Sequence, residues 1–262
     1  MALPAPSDGS AALVTGASSG IGRELARGLA RRGHQLILVA RTESKLRALA
    51  EELDVRAEVV PADLADAASR DELARRVAEL GLDVEVLVNC AGFGTYEDFV
   101  DADRDRLLSE VRLDVEAVVD LMARYLPAMT KRGQGAVINL SSTAGLQPLP
   151  HNALYSGVKA GVLLLSEAVN AEVRKQGVTV TAVLPGPVRT EFQERNDAAF
   201  AERLPKFAWV APEKVAEYAL RAAERGRRSV IPGSPLVKLM FGPNRFFPKR
   251  MVIAVSDRIM RA

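Results

Sequence analysis

The feature that most constrains the fold is a regular alternation of short apolar segments with longer segments of helical period. Strands are predicted at 11–15, 35–40, 55–60, 84–88, 135–140, 178–184 and 228–232. Helices are predicted near 20–32, 43–53, 66–80, 102–130, 153–175 and 211–225. This alternation is typical of a parallel sheet covered by helices on both faces. We therefore expect an α/β fold with one doubly wound parallel sheet of about seven strands.

One domain over residues 1–262 accommodates this pattern. Residues 190–210 are expected to form a lid over the substrate, and residues 233–262 form a tail without a strand of its own. With 262 residues, of which 48% are apolar, the chain can bury a full core without disulfides or metal. Thirty-five basic residues against thirty-three acidic ones give a net charge of +2, which argues against nucleic acid as a partner.

Cysteine and histidine are too scarce for a structural zinc site. The chain has one cysteine, Cys90, and two histidines, His34 and His151, so we expect no intrachain disulfide and no bound metal. Residues 1–10 contain no basic side chain, and no apolar run approaches the length of a spanning helix. We expect a cytoplasmic protein without a secretory signal.

Three glycines stand where the first predicted strand turns into the first predicted helix. The segment runs Thr15-Gly16-Ala17-Ser18-Ser19-Gly20-Ile21-Gly22. Glycines at such a turn let the backbone bend tightly and approach a pyrophosphate, and the helix N-terminus offers free N–H groups to the anion. Because the spacing is Gly-x-x-x-Gly-x-Gly, a plain tight turn is the alternative. The position of the loop favours a Rossmann-type dinucleotide site.

The residue at the end of the second predicted strand indicates which dinucleotide binds. An acidic residue there accepts from the ribose 2′-hydroxyl, whereas an arginine accommodates a 2′-phosphate. Arg41 occupies this position, which favours NADP(H) and leaves NAD(H) possible. Asp63, just after the third predicted strand, is suited either to accept from the adenine amino group or to cap the next helix.

Tyr155 and Lys159 are four residues apart in the predicted helix 153–175, so their side chains lie on one face. A cation near a phenol favours the phenolate and lowers the pKa of the tyrosine. Ser142 follows the fifth predicted strand, at the sheet edge where such folds bind ligands. Its hydroxyl can hold a substrate oxygen beside Tyr155.

Taken together and in order, these segments resemble the classical short-chain dehydrogenase/reductase family over about residues 10–232. The matching segments are the glycine loop, Asn89-Cys90-Ala91-Gly92, Ser142 with Tyr155 thirteen residues later, Tyr155-x-x-x-Lys159, and Pro185-Gly186-Pro187-Val188-Arg189-Thr190.

The resemblance implies an oxidoreductase with a nicotinamide cofactor, in which Ser142 orients the carbonyl or alcohol and Tyr155 passes the proton. It implies that Lys159 binds the nicotinamide ribose and lowers the pKa of Tyr155, that Thr190 contacts the carboxamide, and that Asn89 supports the sheet. The cofactor-binding residues expected are Gly16, Ser18, Ser19, Gly20, Ile21, Gly22, Arg41, Asp63, Asn89, Ala91, Gly92, Tyr155, Lys159, Pro185, Gly186, Val188 and Thr190.

The chain departs from the family at two places. Where the family carries an asparagine after the fourth strand, this sequence has Asp114, which either pairs with Lys159 as part of the catalytic site or is a solvated helix residue. Many tetrameric members close with an Asp-Gly-Gly segment, which the tail lacks. We expect a homo-oligomer, dimer or tetramer, in which the tail makes a different contact.

Aromatic residues near the predicted lid suggest an apolar substrate. Phe192, Phe200, Phe207 and Trp209 fall within the lid, and Phe93, Tyr96 and Phe99 are suited to form a facing wall. Packing of the lid against the domain is the alternative. His151 is within reach of the substrate or is a loop histidine without a role.

The tail is basic as well as apolar. From residue 230 onward it carries six basic residues against the single acid Asp257. It is suited to an anionic membrane surface, or it packs over a subunit or over the substrate mouth.

The leading interpretation is therefore an NADP(H)-dependent oxidoreductase that interconverts a carbonyl and a secondary alcohol on an apolar small molecule, such as a steroid-like or acyl-chain substrate. One alternative is a cofactor-binding but catalytically silent regulatory or scaffold protein. A sugar-nucleotide epimerase is the other alternative, but its larger C-terminal substrate domain does not fit in 262 residues.

Overall fold

A computed structural model describes residues 3–192, 208–242 and 247–261 and contains one seven-stranded sheet. Every neighbouring pair of strands is parallel, and the order is β3-β2-β1-β4-β5-β6-β7. The strands are β1 Ser10–Thr15, β2 Gln35–Ala40, β3 Ala57–Pro61, β4 Asp83–Asn89, β5 Gly135–Leu140, β6 Val178–Val183 and β7 Ser229–Val230. The predicted α/β fold with a doubly wound parallel sheet is confirmed.

Helices connect the strands. They are α1 Gly20–Ala30, α2 Glu43–Glu51, α3 Ala67–Glu79, α4 Arg104–Val111, α5 Ala117–Arg132, α6 Ala153–Val173 and α7 Pro212–Glu224, with α8 Pro235–Phe241 and α9 Lys249–Arg261 in the tail. A π-helical turn, Arg112–Glu116, joins α4 to α5. The single helix predicted over 102–130 is thus three helical segments.

Hydrophobic cores lie on both faces of the sheet, because successive residues of a strand point to opposite sides. Ala12 and Val14 of β1 pack in one core with residues of α1, α2 and α7. Ala11 and Leu13 pack in the other core with residues of α3 and α5. All six residues of β1 are buried, which explains why this strand reads as a continuous apolar run.

The sheet order reverses between β1 and β4. In open parallel sheets a crevice forms at this point, beyond the carboxyl ends of the strands, and ligands bind there. The glycine loop after β1 and the Cys90–Gly92 segment after β4 therefore face one another.

The structure describes the predicted lid and the tail only in part. Of the predicted lid, residues 193–207, including Phe200 and Phe207, lie outside the described residues. The described part of the tail forms two helices, α8 and α9. Among the helices that the structure describes, none combines the length and the apolar character that crossing a membrane requires.

Candidate active site

The glycine loop bends sharply against the segment that follows β4. Gly16 has φ +67°, and a Cβ there would lie 2.9 Å from the backbone nitrogen of Ala91. Gly20, the first residue of α1, has φ +53°, and its Cβ would lie 3.0 Å from Cγ2 of Thr190. Glycine is therefore required at both positions, and the loop leaves the N-terminus of α1 open toward the crevice.

Thr15, which the sequence analysis did not single out, holds this arrangement together. Its hydroxyl donates to the carbonyl oxygen of Val88 at 3.1 Å and accepts from the backbone nitrogens of Cys90 at 2.9 Å and Ala91 at 3.1 Å. The carboxyl ends of β1 and β4 are thus fixed side by side. A buried threonine at the last position of a strand that precedes a glycine loop was the available signal.

One cavity of about 1140 Å³ brings most of the predicted cofactor residues together. It is lined by Gly16, Ser18, Ser19, Gly20, Ile21, Gly22, Arg41, Asp63, Ala91, Gly92, Tyr155, Lys159, Pro185, Gly186, Val188 and Thr190. Asn89 is not part of this lining. Its amide nitrogen donates to Asn139 of β5 at 2.8 Å, so it links two strands behind the cavity.

Asp63 is exposed and its carboxylate accepts from the backbone nitrogen of Ala65 at 3.0 Å. The cap of α3 is Asp66, so the helix-cap alternative for Asp63 is wrong. Arg41 is also exposed at the cavity lining, and it forms no ion pair with any residue of the described ranges.

Tyr155 and Lys159 lie on the first turns of α6, and both side chains are buried. The Lys159 ammonium is 5.5 Å from the centre of the Tyr155 ring and donates to the carbonyl oxygen of Leu140 at 3.1 Å. Ser142, directly beyond β5, interacts through its hydroxyl with Tyr155. Three of the predicted catalytic residues, Ser142, Tyr155 and Lys159, therefore line the same cavity.

Asp114 lies on the π-helical turn and is 1% exposed, so it is not a solvated helix residue. Its Oδ1 is 2.5 Å from Nζ of Lys159, and its Oδ2 accepts from the backbone nitrogen of Phe93 at 3.1 Å. Burial raises the pKa of this carboxyl group, and the ammonium of Lys159 opposes that effect. Asp114 thus belongs to the site and neutralises the lysine.

Burial is also the main influence on the phenol. It raises the pKa of Tyr155, and the Asp114 carboxylate raises it further, while the hydrogen bond with Ser142 acts in the opposite direction. Among the charged groups around the phenol, Asp114 thus acts against the lowering of the Tyr155 pKa that is expected from Lys159.

A second buried acid, Glu110, was missed by the sequence analysis. It lies on α4 one helical turn before Asp114 and is completely buried. Burial raises the pKa of Glu110 to about 7, with Asp114 adding to the effect and Lys159 opposing it. Its spacing of four residues from Asp114 was the only signal in the sequence.

The aromatic wall is partly as expected. Phe93, Tyr96 and Phe192 line the cavity, and Tyr96 and Phe192 place their rings 6.0 and 5.9 Å from that of Tyr155. Phe99 does not belong to the wall, because it is 62% exposed and lies outside the lining. Trp209 instead stacks with the guanidinium of Arg189 at 5.0 Å.

The tail supplies cavity residues that the sequence analysis did not identify. They are Met240 and Phe241 at the end of α8, Phe247 before α9, and Met251, Val252, Val255 and Ser256 on α9. The described part of the tail thus forms part of the cavity lining.

The sequence of this chain is similar to that of a known protein family. The family model described as short chain dehydrogenase matches residues 10–200. A very-long-chain 3-oxoacyl-CoA reductase from Anas platyrhynchos is 34% identical over 211 residues, covering 77% of this chain and 67% of the relative.

Solved structures agree with this match. A short-chain dehydrogenase from Sphingobium yanoikuyae in complex with NADPH has a TM-score of 0.78 and 33% identity, covering 87% of this chain and 88% of that one. L-sorbose reductase from Gluconobacter frateurii, complexed with NADPH and L-sorbose, has a TM-score of 0.77 and 28% identity, covering 91% of this chain and 99% of that one.

Proposed function

This chain belongs to the short-chain dehydrogenase/reductase family of oxidoreductases, and from that premise we propose that it interconverts a carbonyl and a secondary alcohol on an apolar molecule with NADP(H). The single observation that carries the proposal is that Ser142, Tyr155 and Lys159 line the same cavity as the glycine loop. The NADPH-bound neighbours support the choice of cofactor.

The residues present fit a dinucleotide. At Gly16 a side chain would collide with the backbone of Ala91, so the loop keeps a cradle that only glycine leaves open. Arg41 is exposed at the cavity lining without a carboxylate partner among the described residues, which suits it to a 2′-phosphate. Bound NADPH would supply the hydride.

The protein would supply the proton from Tyr155. Because burial raises the pKa of Tyr155, the phenol keeps its proton at neutral pH and can donate it to a carbonyl oxygen during reduction. The Ser142 hydroxyl, which already interacts with the phenol, would hold that oxygen in place. The Lys159 ammonium, 5.5 Å from the centre of the Tyr155 ring, would stabilise the phenolate that remains, and the Asp114 carboxylate would oppose this effect.

The cavity favours an apolar substrate. Next to Tyr155 it presents Tyr96 and Phe192, and the tail adds Met251 and Val255. Such lining stabilises a bound apolar group by removing its surface from water, by about 25 cal/mol per Å². The relative named for very-long-chain 3-oxoacyl-CoA supports an acyl-type carbonyl compound.

An NADPH-oxidation screen over ketones of graded size and polarity tests this proposal. We expect turnover to increase with the apolar surface of the ketone and to be abolished by Tyr155→Phe, which removes the proton donor and keeps the ring. NADPH binding by that variant, measured by fluorescence, should stay close to that of the wild type. Turnover by Tyr155→Phe within a few-fold of the wild type would refute the role of the phenol.

We infer further that the protein is a homo-oligomer. Large apolar side chains are exposed on neighbouring helices. On α4, Leu108 is 36% exposed and Val111 is 37% exposed, and on α5, Val119 is 45% exposed. Leu164 on α6 is 66% exposed. Light scattering of the purified protein, compared with Leu164→Glu, would measure the assembly directly.

A further inference from the structure

His151 joins two elements that are far apart in the sequence. Its Nδ1 pairs with Asp98 in the loop after β4, and its Nε2 lies 2.9 Å from Oδ1 of Asp257 on α9. Each ring nitrogen of His151 thus faces a carboxylate oxygen, so this one side chain bridges the loop after β4 and α9.

The bridge is anchored close to the catalytic helix. His151 stands four residues before Tyr155, in the turn that leads into α6. Its φ of 61° makes it the only non-glycine residue with positive φ among those that the structure describes. The imidazole side chain is 19% exposed, so both ion contacts lie in a partly shielded position.

The helix held by this bridge contributes apolar surface to the cavity. Met251, Val252 and Val255 of α9 line it, yet Met251 and Val255 are 62% and 59% exposed. This apolar surface is open to water and continuous with the cavity. An apolar ligand that extends across it therefore binds more tightly, because it removes that surface from water. On the same stretch of helix Ser256 is buried and lines the cavity, and Asp257 contacts His151.

We propose that α9 is a substrate-selecting wall that the Asp98–His151–Asp257 bridge holds at the cavity mouth. This wall contacts the apolar end of a carbonyl compound that is too long to be enclosed by the aromatic rings around Tyr155. This inference rests on the proposed carbonyl reduction. A short ketone needs only Ser142 and Tyr155, whereas a long one also contacts α9. His151 and the two aspartates are positioning residues that act through Met251 and Val255.

Amide hydrogen exchange tests the bridge without any need for activity. Asp257→Ala and His151→Gln should each accelerate exchange in α9, while the matched control Asp101→Ala, an exposed acid in the Asp98 loop, should leave it unchanged. Because the two variants break one bridge, their combined effect should be smaller than the sum. Exchange in α9 equal to that of the control would overturn the bridge.

Steady-state kinetics with a five-carbon and an eleven-carbon methyl ketone test the wall. Asp257→Ala should lower kcat/KM for the long ketone by about tenfold, mainly through KM, and leave the short ketone unchanged. Val255→Ser should act in the same direction. If Asp257→Ala lowers kcat/KM equally for both ketones, the proposed wall is wrong although the protein reduces ketones. If the wild type reduces no ketone, the proposed function itself is wrong.

Discussion

The ammonium of Lys159 lies between two oxygen atoms of the chain, the Asp114 carboxylate at 2.5 Å and the Leu140 carbonyl at 3.1 Å. A positive charge so paired exerts less influence on the phenol four residues away. After burial, the charge of this one aspartate is therefore the largest influence that raises the pKa of Tyr155.

Asp114→Asn should shift the alkaline limb of the pH–activity profile. The Asp114 carboxylate raises the pKa of Tyr155, so its removal should lower that pKa. Alcohol oxidation needs the phenolate as base, and the apparent pKa of kcat for oxidation should therefore move to lower pH. Glu110, whose charge acts in the same direction on Tyr155, remains in the variant, so the shift should be partial.

A matched control for this pH profile is Asp105→Asn, which removes a carboxylate from α4 that is 86% exposed. Profiles should be measured where chemistry limits the rate. Identical profiles for Asp114→Asn and the wild type would show that the Asp114 carboxylate does not influence the phenol.

Arg41 should decide between the two nicotinamide dinucleotides. We expect NADPH to bind at least tenfold more tightly than NADH, a difference of about 1.4 kcal/mol. Arg41→Asp should reverse the preference, because it removes a phosphate partner and adds repulsion. Arg47→Asp on α2 serves as the control, because it changes the net charge by the same amount as Arg41→Asp but at a residue outside the cavity lining. Equal dissociation constants for NADPH and NADH in the wild type would contradict this role.

At the scale of elements, the junction of β1 with α1 depends on close backbone approach. Gly16→Ala would place a Cβ 2.9 Å from the Ala91 nitrogen at a φ of +67°. Gly81 has nearly the same φ, +66°, with no atom within 4 Å of its Cβ position, so Gly81→Ala isolates the conformational cost. That cost is about 1 to 2 kcal/mol for a left-handed residue.

We expect Gly16→Ala to be less stable in urea unfolding than Gly81→Ala, and to lose NADPH affinity that the Gly81 variant keeps. The additional loss reports the contact between the glycine loop and the segment after β4. Equal stability and equal NADPH affinity of the two variants would mean that this contact relaxes without cost.

The elements differ in how far the sequence alone could predict them. The strands, the glycine loop and the spacing of Tyr155 and Lys159 are local patterns, and they appear where they were expected. Asp114 is buried on a π-helical turn that packs against α6, and such a turn has no local signal in the sequence. The packing of α9 brings together His151 and Asp257, which are 106 residues apart, and no local pattern predicts such a contact.

At the scale of the whole molecule, the sequence left three possible contacts for the tail, namely an anionic membrane surface, a second subunit and the substrate mouth. Its apolar residues Met251, Val252 and Val255 line the cavity mouth, and Lys249 and Arg250 are exposed. We therefore expect the wild type and the charge-reversed Lys249→Glu, Arg250→Glu double variant to float equally little with anionic vesicles. Flotation of the wild type alone would support the membrane surface as a partner of the tail.

The two edges of the sheet have a consequence for how copies of this protein can associate. β7 has only two residues, and β3 at the other edge carries Glu58 and ends at Pro61. Short, charged or proline-terminated edges are poor templates for adding a strand from another chain. The sheet thus resists growth by intermolecular pairing, which protects it against fibrous aggregation and leaves helix faces as the route to assembly.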